Sequence, residues 1–139
     1  MSTSFRAVVL TLVVVFGGGL AAYAQAQSSK PTLNITTVPS FNANPDRETM
    51  EPIAGTVRDA PRDVRVVVFA HTNAWYVQPY LKAPFTDVRD GVWQSSTHLG
   101  TEYAALLVTS TYKVPEREIL LLPVIGADVL AIARVPGKR

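Results

Sequence analysis

Apolar and polar positions follow the pattern of β-strands over most of the chain. The two most apolar runs are VRVVVFAH, at residues 64–71, and EYAALLVT, at residues 102–109. Nearly continuous apolar runs of this length are typical of strands that are covered on both faces. We therefore expect these two strands to be neighbours at the centre of a sheet, with Trp93 packed across them.

Side-chain alternation assigns the residues of both runs to two faces. In the first run, one face contains Val64, Val66, Val68 and Ala70, and the other contains Val67 and Phe69. In the second run, Tyr103, Ala105 and Leu107 alternate with Ala104, Leu106 and Val108. Both faces of both strands are therefore predicted to be buried.

Shorter strand candidates, separated by turn signals, surround this central pair. They are TLNITTVP at residues 32–39 as a first or edge strand, IAGTVRD at 53–59, AWYVQ at 74–78, VWQSST at 92–97, DVLAIARV at 128–135, and a further segment within VPEREILLLPVIGA at 114–127. Thr72-Asn73 and Asp90-Gly91 are the expected hairpin turns. Pro79 is expected to end its strand, because proline has no amide hydrogen to donate to a sheet.

Helical periodicity does not extend over a convincing length anywhere in the mature chain. Only PEREILLL, at residues 115–122, has a composition that suits one turn of helix. About seven short strands joined by turns are typical of sandwiches and small barrels. The sequence therefore predicts an all-β fold, a single immunoglobulin-like antiparallel β-sandwich.

The first residues of the chain have a different pattern. Arg6 precedes an apolar stretch at residues 7–16, and glycines and small residues then lead to two overlapping Ala-x-Ala sites at residues 22–26. This order is typical of a secretory signal peptide that is cleaved after Ala24 or Ala26. The alternative is a retained anchor, but the apolar stretch is shorter than the roughly 20 residues that span a bilayer.

These observations predict an exported protein, periplasmic or extracellular, without stable membrane insertion after cleavage. The expected organisation is a signal peptide at residues 1–26, a polar leader with an edge strand at 27–51, and the sandwich domain at 52–139.

Lys and Arg are scattered, apart from the terminal GKR, and the net charge is only +2, which argues against nucleic-acid binding. The chain has no cysteine, so packing without disulfides must stabilise the domain. We expect a monomer that needs no cofactor.

The frame GTV…VVVFA…DGVW…HLGTEYAALLV resembles the immunoglobulin-like and transthyretin-like accessory domains of secreted bacterial proteins, including those attached to carbohydrate-active enzymes. The motifs that carry the resemblance are Asp90-Gly91-Val92-Trp93 and Gly100-Thr101-Glu102-Tyr103, and it covers roughly residues 53–135. Such domains have no catalytic set, so the resemblance implies a β-sandwich that is not an enzyme.

The stretch AHTNAWYVQPYL is more aromatic than a spacer domain requires. Because sugar rings and peptides stack on aromatic faces, the candidate ligand-binding residues are Trp75, Tyr76, Gln78 and Tyr80. Alternation along the strand predicts that one of Trp75 and Tyr76 points inward, while the other points outward with Gln78 and Tyr80. The competing interpretation, that these aromatics form the core, is favoured for Trp93 and for the inward member of the pair.

Catalytic and metal sites receive little support from the remaining polar residues. His71 and His98 both end strands, but neither an H-x-H nor an H-E-x-x-H spacing is present, so hydrogen-bonded histidines at turns are favoured over metal ligands. A catalytic triad could combine Ser95 or Ser96 with His98 and with Asp87 or Asp90. However, the sequence does not contain the G-x-S-x-G turn that exposes a nucleophilic serine. We therefore assign no catalytic residue and no metal ligand.

Three functions remain open at this point. The first is an exported non-catalytic module that binds a glycan or a component of the cell envelope through exposed aromatics. The second is a structural or protein-interaction domain of the cell envelope, and the third is a small hydrolase. Outward aromatics that are coplanar in a shallow groove favour the first function. Aromatics buried in the core, with an open apolar edge strand, favour the second, and a concave pocket that holds His98 near a serine or carboxylate favours the third.

Overall fold

The computed structural model describes residues 29–139, so the expected signal peptide and its cleavage positions lie outside the described residues. The chain forms eight strands: β1 (Thr32–Thr37), β2 (Met50–Arg58), β3 (Arg65–His71), β4 (Trp75–Gln78), β5 (Phe85–Asp87), β6 (Val92–His98), β7 (Glu102–Val108) and β8 (Val129–Pro136). Over the range 29–139 no helix forms, and hence none that could cross a membrane.

The strands form two antiparallel sheets that pack face to face. The smaller sheet has the order β1-β2-β6, and the larger has the order β4-β3-β7-β8, with β5 paired to the first half of β3. Buried side chains from both sheets form one shared cluster, which we call the inner core. The predicted all-β sandwich is confirmed, with eight strands where the sequence indicated about seven.

The two central strands were predicted correctly. β3 and β7 are antiparallel neighbours, with Val66 opposite Leu107 and Val68 opposite Ala105. These four residues point into the inner core, while Val67, Phe69, Ala104, Leu106 and Val108 form a second buried cluster on the other face, the outer core. The apolar runs are therefore covered on both sides, as their lack of polar alternation indicated.

The outer core is covered by an irregular segment, residues 109–128, and not by a third layer of strands. The strand expected within residues 114–127 is absent, as is the turn of helix expected at residues 115–122. Only Ile119 pairs with the sheet, exchanging two backbone hydrogen bonds of 2.9 and 3.1 Å with Trp75. Pro115 and Pro123, which cannot donate to a ladder, limit the stretch around Ile119 that is able to pair.

Trp93 lies at the centre of the inner core, as the sequence predicted, and is almost completely buried. It stands opposite Gly55 in the register of β2 and β6. A Cβ atom on Gly55 would overlap the carbonyl oxygen of Asn34 and approach Trp93 Cε2 to 2.8 Å. Glycine is therefore required at position 55 so that the indole and the edge strand β1 can both lie against β2.

The predicted hairpin turn at Asp90-Gly91 is confirmed, and it connects the two sheets. Both residues have positive φ, 52° and 72°, as a type I′ turn requires. Arg89 and Val92 exchange backbone hydrogen bonds of 2.9 and 3.0 Å across it. The two arms then separate, since β5 pairs with β3 in the larger sheet and β6 pairs with β2 in the smaller one.

The connection between β1 and β2 is held by contacts with residues that precede β7 and follow β8. Ser40 and Phe41 form parallel bridges to Lys138 and Gly100. The Tyr103 hydroxyl donates to the carbonyl oxygen of Ser40 over 2.6 Å and accepts from the Gly100 amide over 2.9 Å. Burial raises the pKa of this hydroxyl, which stays protonated and available as a donor. These contacts position residues 42–49 beside the ends of β4 and β6.

Candidate functional site

A groove opens at the end of the sandwich where β4, β6 and the connection between β1 and β2 meet. Its volume is about 590 Å³. The lining contains an apolar part, a pair of tyrosines and a polar rim: Pro45, Asp46, Arg47, Ala70, Thr72, Tyr76, Val77, Gln78, Pro79, Tyr80, Leu81, His98 and Leu99. We call this feature the aromatic groove.

The structure brings Tyr76, Gln78 and Tyr80 to the aromatic groove and places Trp75 elsewhere. Trp75 is buried in the outer core, where its ring lies 4.8 Å from that of His71. Tyr76 points the opposite way and is 37 % exposed, while Tyr80 is 55 % exposed. The open choice between Trp75 and Tyr76 is thereby decided, because residues 109–128 cover the side of β4 that carries Trp75.

Gln78 and His98 form a hydrogen-bonded pair at the base of the groove. The backbone amide of His98 donates to Gln78 Oε1 over 2.9 Å, and His98 Nδ1 lies 2.9 Å from the same oxygen. Gln78 Nε2 donates to the carbonyl oxygen of Tyr76 over 3.3 Å. The prediction that Gln78 points outward is wrong, because its side chain is buried between the two sheets. These bonds satisfy its amide and connect β4 of the larger sheet to β6 of the smaller sheet.

The two tyrosine rings are positioned by contacts at their edges. The Tyr76 hydroxyl donates to Asn73 Oδ1 over 3.0 Å, and the Tyr80 hydroxyl lies 3.5 Å from Met50 Sδ. The Tyr80 ring also meets the His98 ring edge-on, with centroids 5.7 Å apart. Each ring therefore keeps surface free for a ligand while its hydroxyl is engaged by a neighbour.

Asp46 and Arg47 form a charged rim on the other side of the groove. The Asp46 carboxylate accepts hydrogen bonds from the Thr49 amide, the Glu48 amide and the Thr49 hydroxyl. Hydrogen bonds from the Thr49 backbone and side chain, and from the Glu48 backbone, lower the pKa of Asp46, because they stabilise its charged form. Arg47 makes no ion pair within residues 29–139 and lines the groove beside Asp46.

The other polar candidates are not assembled into a site. His71 lies on the outer side of β3 against Trp75, whereas His98 lines the groove. Ser95 and Ser96 do not line the groove, and Asp87 and Asp90 lie at the opposite end of the sandwich. Across the described part of the chain, no three His, Asp or Glu side chains come close enough to hold a metal ion.

The second side of the aromatic groove, formed by residues 45–47, was not predicted from the sequence. Residues 27–51 were expected to be a leader, and His98 was expected to be a hydrogen-bonded histidine at a turn and not a ligand-binding residue. Pro45, Asp46 and Arg47 reach the groove because Ser40 and Phe41 bridge to strand ends far along the chain. The sequence gives no signal for these bridges, whereas the polar end of β6 at His98 was visible as a strand terminus.

A second surface feature lies on the segment that covers the outer core. Leu120, Leu121, Val124 and Ile125 are between 52 and 83 % exposed, although they follow Ile119, which is anchored to Trp75. We call these four residues the aliphatic ridge. Several large aliphatic side chains so exposed within six residues are unusual on a globular protein and often mark a contact surface.

Comparisons of this chain with protein-family models, with curated proteins and with solved structures found no match.

Proposed function

We propose that this protein is a non-catalytic binding module whose aromatic groove binds a glycan. One observation carries the proposal: two exposed tyrosines, Tyr76 and Tyr80, line the same groove as the hydrogen-bonded pair Gln78 and His98. A sugar ring has an apolar face of C–H groups and a polar edge of hydroxyls. A groove with aromatic faces and polar side chains matches both parts of such a ligand.

Size and preorganisation also support a binding role. A volume of about 590 Å³ lies within the range of small-ligand sites, roughly 300–1,000 Å³. Because Asn73 and Met50 engage the two tyrosine hydroxyls, the rings lose less conformational freedom when a ligand binds. The carboxylate that lines the groove, Asp46, is engaged in its own turn, which favours binding over acid–base catalysis.

A glycan array probed with residues 27–139 tests the proposal, followed by calorimetry with the glycan that binds best. We expect Tyr76→Ala and Tyr80→Ala each to weaken binding about tenfold, as the loss of one aromatic contact should. Val92→Ala is the matched control, because Val92 is 53 % exposed but lies at the opposite end of β6. Absence of binding to any glycan, or unchanged affinity in both tyrosine variants, would contradict the proposal.

We also propose that the protein is exported, on the basis of the N-terminal pattern alone. Intact-mass analysis of protein recovered from outside the cytoplasm should give a mature chain that begins at Gln25 or Gln27. A mass that still includes Met1 would show that the segment is retained.

The aliphatic ridge favours a second function, interaction with a partner protein. The four side chains are exposed together within residues 120–125, and a partner protein with a complementary apolar surface would cover them. A photoreactive residue at position 121 should crosslink such a partner in the native host, and the purified partner should bind the unmodified chain. Leu120→Ser with Leu121→Ser should abolish that binding, whereas Tyr80→Ala should not change it. Equal binding by the double variant would exclude the ridge as the contact surface.

A further inference from the structure

We propose that Gln78 fixes the tautomer of His98, and that His98 Nε2 is the hydrogen-bond acceptor by which the aromatic groove selects ligands with a hydroxyl donor beside the stacked sugar face. This inference rests on the proposed glycan binding and specifies which chemical group the glycan must present.

The orientation of the Gln78 amide is determined by its two backbone partners. The His98 amide can only donate, so the Gln78 atom 2.9 Å from it must be the oxygen. The Tyr76 carbonyl can only accept, so the Gln78 atom 3.3 Å from it must be the nitrogen. Both contacts give the same assignment, and the usual ambiguity between the two amide atoms does not arise here.

This orientation determines where the imidazole carries its hydrogen. His98 Nδ1 lies 2.9 Å from Gln78 Oε1, which can only accept, so Nδ1 must be protonated. A carbonyl oxygen has two lone pairs and can accept from both the His98 amide and the His98 ring. Neutral imidazole has a single N–H group, so Nε2 retains its lone pair and is an acceptor.

His98 Nε2 is available to a ligand. Within residues 29–139 it has no hydrogen-bond partner, and it is not among the buried polar atoms. The His98 ring lines the groove beside the edge of Tyr80, so a sugar stacked on this tyrosine would bring its hydroxyl edge towards the imidazole. A site built to accept a hydrogen bond rejects analogues that lack the donor, because its polar atom is then left unpaired.

The tautomer is tested without any ligand. Two-bond ¹H–¹⁵N correlation spectra of labelled residues 27–139 at about pH 8, above the usual titration range of imidazole, distinguish the two forms. We expect the Nδ1–H form for His98 in the unmodified protein. Gln78→Leu should shift His98 to the Nε2–H form, while His71 serves as an internal control whose signals stay unchanged. An Nε2–H form in the unmodified protein would overturn the inference, and this measurement needs no variant to fold.

The donor requirement is tested with cellotetraose, xylotetraose and mannotetraose and with their per-O-methylated forms, which keep the rings but have no hydroxyl donor. We expect at least one parent sugar to bind at least about tenfold more tightly than its methylated form, the factor equivalent to one hydrogen bond. His98→Phe should remove this preference, whereas His71→Phe should retain it. Equal binding of the two forms would overturn the inference. If neither these sugars nor any glycan of the array binds although His98 has the Nδ1–H form, the proposed function fails while the acceptor assignment is supported.

Discussion

The two faces of the five-stranded sheet are buried equally well, but by different kinds of structure. On the inner side, Val66 and Leu107 pack against a second hydrogen-bonded sheet. On the outer side, Phe69 and Leu106 are just as inaccessible, yet residues 109–128 cover them with a single point of backbone pairing, at Ile119. Equal burial therefore does not imply equal resistance to opening. Residues 109–128, which we call the outer cover, can detach without breaking a β-ladder.

The largest effect is expected where both sheets meet. Replacing Trp93 by Ala should lower the free energy of unfolding by about 3–5 kcal/mol, since it empties the largest side chain from the inner core. The total free energy of unfolding of a domain of this size is only about 5–15 kcal/mol, so the change is a large fraction of it. Urea denaturation measures it.

Trp93→Phe is the control for this experiment. The indole Nε1 is buried without a hydrogen-bond partner in the described structure, so phenylalanine loses volume but no hydrogen bond. The Phe variant should be clearly more stable than the Ala variant. A loss below about 1 kcal/mol for Trp93→Ala, the usual range of surface changes, would show that the inner core is not where the stability lies.

A methyl group added at Gly55 should have the next largest effect. It would meet the Asn34 carbonyl and the Trp93 ring, so β1 or the indole must move, at a cost of about 1–3 kcal/mol. The matched control is Gly126→Ala on the outer cover, where the nearest atom lies 3.9 Å from the added carbon. Thermal unfolding of both variants compares the two faces directly. Equal melting temperatures would mean that the inner contact is looser than the structure indicates.

The outer face should open at lower free energy than the inner face. Hydrogen exchange at the Ile119 and Trp75 amides is expected to be faster than at β3 and β7, because the former depend on one bridge. Ile119→Ala should accelerate it further while lowering global stability by only about 1 kcal/mol, the typical effect of a single substitution. If residues 109–128 exchange only by global unfolding, the two faces are equally cooperative and the comparison fails.

The smallest effect on stability is expected at the groove, which belongs to neither core. Tyr80→Ala should change the free energy of unfolding by well under about 1 kcal/mol, because the side chain is mostly exposed. The same variant is predicted to weaken glycan binding about tenfold, so stability and affinity separate at this residue. A collapse of stability in Tyr80→Ala would reverse our assignment of core and surface.

The inner architecture was predictable because local signals agree there. The uninterrupted apolar runs of β3 and β7 placed them at the centre, and Asp90-Gly91 is a turn sequence that demands positive φ at both positions. The outer cover was not predictable, because the residues it contributes to the core follow neither a two-residue nor a 3.6-residue period: Tyr112, Val114, Ile119 and Leu122.

The difference between local and non-local signals also explains which parts of the candidate site could be predicted from the sequence. Alternation along β4 predicted that Tyr76 and Gln78 would share a side, but it could not say whether Trp75 or Tyr76 faced solvent. That choice depended on the irregular cover over Trp75. The pairing of Gln78 with His98 depends on how the two sheets are stacked, and no local pattern in either strand encodes that offset.

The strand order of the smaller sheet has a consequence for the rate of folding. β2 pairs with β6, from Met50 opposite His98 to Thr56 opposite Val92, while β3, β4 and β5 lie between them in the sequence. The chain must close this long loop before β2 and β6 gain their first contacts with each other, and the entropy cost precedes the gain. We therefore expect folding in roughly milliseconds to seconds, as for other sandwiches dominated by non-local pairing. The β3–β4 hairpin, closed by a short turn, is the element able to form first, and the cavity for the Trp93 ring is completed last.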